Sequence, residues 1–463
     1  MLANRTSAIS AEKGPRWVLT ALVLASVGVL LGIEIAAHTF EFRGPTANLL
    51  SELIFAPKRG PVLWAGLALA MVGLVPRERM ICLGTAALTD LAFFLGRMSE
   101  GGRPTFGNGA LVVLVGLGLW AGGNWDGERR INVLKGVGLG LVLIMATKLS
   151  DAWLHLTAIT QPTVLDEYVQ TADHSLGDPA WWVGRLVEAT GFVGHRVLEF
   201  VYVQLPIGAI VVALYQLRKG WPGHHLVRTF LAIGMIGPVF YVLFPVVGPV
   251  FAFSGAGGGW AVADVWPSIS FLDLTPVAVT FDNVTPRNCM PSLHTAWAVA
   301  IFVHSRQGPR WLRAFGTFWM VCTLAATLGF GYHYGVDLIA GVVFSLTVES
   351  ALRDPERGWG WFRSRLVIGG SLVMVGLLLS FRYLSVPLAT VPEVAGPLLL
   401  VVLAGVIAAF YATFFARPGT ALGTWGQRDT RPASMVDAGD HERLTPTDAN
   451  WPPSDGSRRS QAP

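Results

Sequence analysis

Two short stretches combine residue types that can move a phosphoryl group. One is Pro291-Ser292-Leu293-His294 and the other is Gly331-Tyr332-His333-Tyr334-Gly335-Val336-Asp337. Each opens an apolar run long enough to be a helix. His333 and Asp337 stand four apart, so a helical turn would put them on one face. Asp337 can then hold one ring nitrogen of His333 and leave the other to attack an electrophile. His294, at the start of the neighbouring run, can protonate a leaving alkoxide. Pro291 suits a first helical turn. The N–H groups of Ser292, Leu293 and His294 would then point at an anion, as helix N-termini do toward phosphate. Taken singly, each histidine is more simply an interfacial residue satisfied by water. Two histidines and an aspartate at matching depth on adjacent runs are harder to explain that way, because ionisable groups at membrane depth are costly.

The elements that must position these residues are read from hydropathy. The chain has 463 residues, 52% hydrophobic and 14% charged. A soluble chain would carry roughly 25% charged residues, so much of this surface faces lipid. A helix needs about 20 apolar residues to cross the hydrocarbon core, and about twelve segments from Trp17 to Ala416 qualify or nearly do. The fold class expected is all-α, a polytopic membrane protein. The first segment, Trp17–Ala37, is longer than a signal-peptide core and is expected to remain as an anchor. Residues 1–133 form N-terminal transmembrane helices, 134–352 the catalytic core, 353–416 a C-terminal helix pair. Residues 417–463, polar and rich in Pro, Asp, Ser and Arg, form a disordered tail. Two long loops, His155–Arg196 and Ala252–Met290, interrupt the apolar runs. Trp181–Phe192 reads as an interfacial helix, and Trp181, Trp182 and Trp260 suit an aromatic belt.

Loop charges orient the second half. Arg218, Lys219, Arg228, Arg306, Arg310, Arg313, Arg353, Arg357, Arg363 and Arg365 fall on one side, which is cytoplasmic by the positive-inside rule. Asp166, Glu167, Asp173, Asp178, Asp264, Asp273 and Asp282 fall on the other, with the His–His–Asp set. Arg43, Lys58, Arg59, Arg97 and Arg103 break the pattern, since they too would face outward.

Composition also excludes. The net charge of +4 contains no basic run suited to nucleic acid. Cys82, Cys289 and Cys322 are too few for a disulfide framework, and Cys289 beside the motif reads as packing. Scattered acidic residues give no ligand spacing, so neither metal nor cofactor is expected.

The paired motifs resemble the type 2 phosphatidic acid phosphatase superfamily, whose second motif reads PSGH and whose third reads SRxxxxxHxxxD. The resemblance covers roughly Leu134 to Leu352. It implies a six-helix core in which His333 forms a phosphohistidine, Asp337 is its partner and His294 the acid/base. Leu293 replaces the glycine of the second motif. Ala326-Thr327 stand where the third has Ser-Arg. The first motif, KxxxxxxRP, is missing, and Arg103-Pro104 lies too far upstream to supply it. Such losses are similar to the inositol phosphorylceramide synthase branch, an inositolphosphotransferase-like group. Phe244–Pro249, His333-Tyr334, Asp337-Leu338 and the stretches Leu165–Glu167 and Asp173–Gly177 look like that branch too. The resemblance implies a lipid phosphate or phospholipid substrate taken from the bilayer, with water, a polyol or a lipid alcohol as acceptor. Loop charges place the site on the extracytoplasmic face of an integral membrane protein, with the plasma membrane as the expected location.

Some cation must still neutralise the phosphate. Arg287, just before the His294 helix, is the first candidate, Lys148 the second, and Arg185 and Arg196 follow. Ser292 is a further phosphate contact. Lys148 can instead pair with Asp151 or with the intramembrane Asp90. Twelve segments with Asp90, Lys148 and Asp151 would also suit a transporter, but no repeat relates the two halves. An inactive scaffold would not need the complete His–His–Asp set.

Overall fold

The computed structural model describes residues 16–102, 104–253, 274–279, 285–417 and 419–426. Trp260, Asp264, Asp273, Asp282, Arg103 and, of the expected tail, residues 418 and 427–463 lie outside them. The described chain is helical apart from a two-residue antiparallel pair, β1 (Thr163–Val164) with β2 (Val277–Ala278).

The N-terminal helices are α1 (Arg16–Thr39), α2 (Pro45–Ser51), α3 (Gly60–Ala70), α4 (Pro76–Ser99), α5 (Asn108–Asn124) and α6 (Gly127–Thr160). Then come α7 (Asp166–Asp173), α8 (Pro179–Ala189), α9 (Gly191–Val203), α10 (Leu205–Leu217), α11 (Leu226–Leu243) and α12 (Pro249–Phe253). α13 (Leu293–Ser305), α14 (Arg310–Gly329) and α15 (Gly335–Leu352) complete the part that carries the motifs. α16 (Trp361–Tyr383), α17 (Ser385–Thr390), α18 (Pro392–Phe414) and α19 (Ala421–Gly426) follow.

Among the described residues, seven helices are long and apolar enough to cross a membrane, or eight if α9 and α10, bent by 61° at Gln204, make one span. This is fewer than the twelve expected, and the reason is length. At 1.5 Å per residue, the 11 residues of α3 and the 13 of α13 fall short of a hydrocarbon core of about 30 Å. Both are instead packed inside the protein, and most of their residues are buried. The expected Trp181–Phe192 helix is α8, which packs on α14.

Two apolar cores result. The first joins α3, α4, α5 and α6 and reaches Ala213, Leu217 and Val227. The second is built around α13 and α15, with α7, α9, α10, α11, α14, α16 and α18 supplying its wall. α6 lies between them, against α3 on one side and α11 on the other. Lipid gives helices little hydrophobic reason to associate, so close packing at small residues matters. A Cβ at Gly140 would lie 2.4 Å from the Gly66 carbonyl, so α6 and α3 meet backbone to backbone.

The intramembrane Asp90 is explained here and does not pair with Lys148. Its carboxylate accepts the N–H groups of Gly107 and Gly109 at 2.7–2.9 Å and the indole N–H of Trp64 at 3.0 Å. It caps the start of α5, where the helix dipole favours an anion. Lys148 pairs with Glu52 at 2.6 Å, and Asp151 with Arg59 at 2.5 Å.

Candidate active site

His294, His333 and Asp337 come together because α13 and α15 start side by side. A Cβ at Gly341 would lie 2.5 Å from the Ser292 carbonyl, and the Ser345 hydroxyl donates to the Ala296 carbonyl at 2.8 Å. The Ser292 N–H donates to the Asp337 carbonyl at 3.2 Å, which joins the two helix starts directly.

Several local expectations change. α13 begins at Leu293 with Ser292 as its N-cap, so Pro291 lies before the first turn. The Ser292 N–H goes to Asp337 and is not offered to an anion. Its hydroxyl accepts from the Thr295 N–H at 3.3 Å, the usual economy of a serine cap, and the residue is fully buried. α15 begins at Gly335, so His333 stands outside the helix. Asp337 folds back over that start and accepts the Tyr334 N–H at 2.8 Å. His333 Nδ1 lies 3.4 Å from Asp337 Oδ2.

Cys289, which the sequence suggested was packing, stands in this pair. Its thiol donates to Asp337 Oδ2 at 2.7 Å and lies 3.2 Å from His333 Nδ1. Burial, then the charge of Asp337, holds the thiol well above its ordinary pKa, so it remains a donor. Burial also pulls the His333 imidazole down to about 3, leaving the ring neutral with Nε2 on the edge away from Asp337.

Two more carboxylates hold the loops behind the site. Asp166 accepts the N–H groups of Val247 and Gly248 at 3.0 and 2.8 Å and the Tyr334 hydroxyl at 2.8 Å. Burial pushes it up to about 6 against those bonds. Asp173 accepts the Val336 N–H at 2.9 Å, at the N-terminus of α15. Asp178 binds Gln170 and His174. The stretches Leu165–Glu167 and Asp173–Gly177 thus shape the loop that carries His333. Only their likeness to one family branch marked them in the sequence.

A cavity of about 480 Å³ opens onto His294. Its apolar wall includes Pro61, Leu143, Leu154, Pro206, Phe230 and Trp297, and its polar rim Lys58, Arg59, Ser150, Gln204 and Asn288. The Tyr202 ring stacks on His294 at 4.0 Å and lies 5.1 Å from Tyr332. His333 is 3% exposed, behind this layer.

The expected phosphate ligands are elsewhere engaged. The fully buried Arg287 donates to the carbonyls of Thr285, Val279 and Gln161 at 2.7, 2.9 and 3.3 Å, pinning the β1–β2 region. Lys148 is held by Glu52 in an interior where a lone ammonium would be costly. Arg196 pairs with Glu199, and Arg185 lies over the Trp181 ring. None of the four lines the cavity. Lys58 and Arg59 do, and the sequence marked them only as breaking the charge pattern.

Tertiary structure also assembles two groups with ligand atoms close enough for a metal ion, which scattered spacing had argued against. One is Cys289, His333 and Asp337, and the other is His224, His304 and Glu349. In the second, Glu349 binds His224, His304, Thr229 and Arg353 at 2.6–3.1 Å. It lies twelve residues along α15 from Asp337, roughly 18 Å away.

These features define a helical membrane protein with a buried His–Asp pair and, beside it, a second histidine that lines an amphiphilic cavity. Residues 167–349, which carry all three groups, match the family model of the PAP2 superfamily, which generally comprises phosphatases and phosphotransferases. Residues 16–156, from α1 into α6, match a domain of unknown function, DUF5933. No curated protein and no solved structure matches the chain. The PAP2 match begins after α6, whereas the sequence reading began the core at Leu134.

Proposed function

We propose that the protein is a membrane-embedded phosphatase or phosphotransferase for amphiphilic phosphate esters, working through a phosphohistidine at His333. The observation that carries this reading is the adjacency of the His333–Asp337 pair to His294 at a cavity with a polar rim and apolar walls. His333 Nε2 attacks phosphorus, and the bond to the leaving oxygen breaks. His294, which takes up a proton when the anionic headgroup binds beside it, gives that proton to the leaving oxygen. Water or an acceptor hydroxyl then attacks the phosphohistidine, losing its proton to His294 and restoring His333. Asp337, facing Nδ1 with the Cys289 thiol alongside, orients the ring and stabilises the positive charge it gains. Fixed charges and dipoles at a water-poor site supply much of the rate enhancement.

The site faces the extracytoplasmic side in this reading, as the loop charges suggest, and a plasma-membrane location fits it. The departures from the usual motifs favour transfer to a polyol or lipid alcohol, as in inositolphosphotransferases, over plain hydrolysis. Purified protein should convert lipid phosphates or phosphodiesters in detergent with EDTA present, and His333→Ala should not. New phospholipid that depends on inositol or another polyol would identify a transferase, and phosphate release without acceptor a phosphatase. Equal turnover by wild type and His333→Ala, or loss of activity with EDTA, would overturn the mechanism.

A further inference from the structure

We infer that the N-terminal helices complete the substrate site: Arg59, with Lys58 beside it, binds the anionic headgroup of an amphiphile whose chain lies in the cavity between α3, α6 and α11. The inference rests on the reading of this site as one for phosphate esters. A phosphate group carries about −1.5 to −2 charge, and leaving that uncompensated beside an apolar wall is costly. Among the described residues that line the cavity, Lys58 and Arg59 are the only Lys or Arg. They come from the turn that precedes α3, whereas His294, lining the same cavity, comes from α13.

Three features favour a ligand-binding role over a purely structural one. Arg59 is 51% exposed although it lines a cavity, so its donors are not consumed by burial. Among the described residues it pairs with a single Asp151 oxygen, which leaves much of a guanidinium fork that can bind two anion oxygens side by side. Lys58 and Arg59 are also among the basic residues that the charge pattern would not put on this face. A headgroup bound there accounts for them. The remaining walls, with Leu143, Leu154, Phe230 and Trp297, suit an alkyl chain and give a free phosphate ion nothing to contact.

Asp151 is then a placeholder that a headgroup displaces, and this separates the two roles experimentally. The probe is hexadecylphosphonate, whose P–C bond survives any phosphoryl transfer. It is titrated calorimetrically into the purified full-length protein in non-ionic detergent, with inorganic phosphate as a second arm. Wild type should bind the phosphonate much more tightly than phosphate. Arg59→Gln should weaken phosphonate binding about tenfold or more, and Lys58→Gln less. Asp151→Asn should leave it equal or tighter. No phosphonate binding by wild type, equal affinity for phosphate, unchanged affinity in Arg59→Gln, or parallel losses in Arg59→Gln and Asp151→Asn would each overturn the inference. Binding with the expected variant pattern but no turnover of any ester would leave this site standing and remove the proposed reaction.

Discussion

The Cys289 thiol lies 2.7 Å from Asp337 Oδ2, closer than His333 Nδ1, which is 3.4 Å from the same oxygen. A neutral donor therefore occupies the carboxylate that, in the proposed reaction, orients His333. Sulfur binds weakly on both sides, so Cys289 spaces the pair more than it links it. Cys289→Ala should keep phosphoryl transfer within a few-fold of wild type, since the ring can then approach the carboxylate. Asp337→Asn should lower it by about 10³-fold or more, through the wrong tautomer. Initial rates of the two variants on one lipid ester check this, and equal losses would make the thiol a participant.

The pH profile follows from burial. A ring held near 3 keeps His333 unprotonated from pH 8 down to about pH 4, where an exposed histidine would already carry its proton. With a phosphodiester substrate, which does not itself titrate in that range, kcat/KM should show no acid limb at pH 6–7 belonging to His333. A limb centred near 6.5 would place the ring in water instead.

Asp166 makes an opposite contribution to stability. Its carboxyl is raised from 3.8 to about 6 by burial. The folded state therefore keeps a proton that the unfolded chain releases. Stability from this group is full below about pH 4 and is lost as pH rises to about 6, by about 3 kcal/mol. The depressed His333 runs the other way, losing stability as pH falls, so the total slope mixes both. Thermal melts of Asp166→Asn against wild type between pH 4 and 7 isolate the first. The variant's stability should fall less with rising pH, and an unchanged slope would contradict the assignment.

Close approach at Gly341 sets the distance between the two motif helices. An alanine there would bring Cβ to 2.5 Å of the Ser292 carbonyl, and backbone cannot yield cheaply. Gly341→Ala should destabilise by about 1–3 kcal/mol and lower turnover. Gly376→Ala, on α16 with open space around it, should do neither. Melting and turnover of this pair read the difference.

At the other end of α15, Glu349→Ala removes the common acceptor of His224, His304, Thr229 and Arg353. Uncompensated groups there should destabilise the fold by about 3–5 kcal/mol. Hexadecylphosphonate affinity of the folded fraction should stay at the wild-type value, because Glu349 does not line the cavity. A matching loss of affinity would couple the two ends.

The sequence by itself determined that the chain is a helical membrane protein and singled out the His–His–Asp set as the candidate site. Long apolar runs require helices that satisfy their own backbone in lipid, and a Pro-Ser-x-His start with a His–x–x–x–Asp turn is a local pattern, readable from spacing alone. The number of spans was not readable, because α3 and α13 are apolar through burial in protein and too short to cross. Nor was the choice of cation. Arg287 and Lys148 are near the site by sequence or depth, yet each is held by its own interior partners, carbonyls for one and Glu52 for the other. Arg59 reaches the cavity from a different helix cluster, and Asp166, Asp173 and Cys289 reach the His333 loop across other chain turns. Those positions are set by how helices pack, and packing joins residues that no spacing rule in one dimension connects.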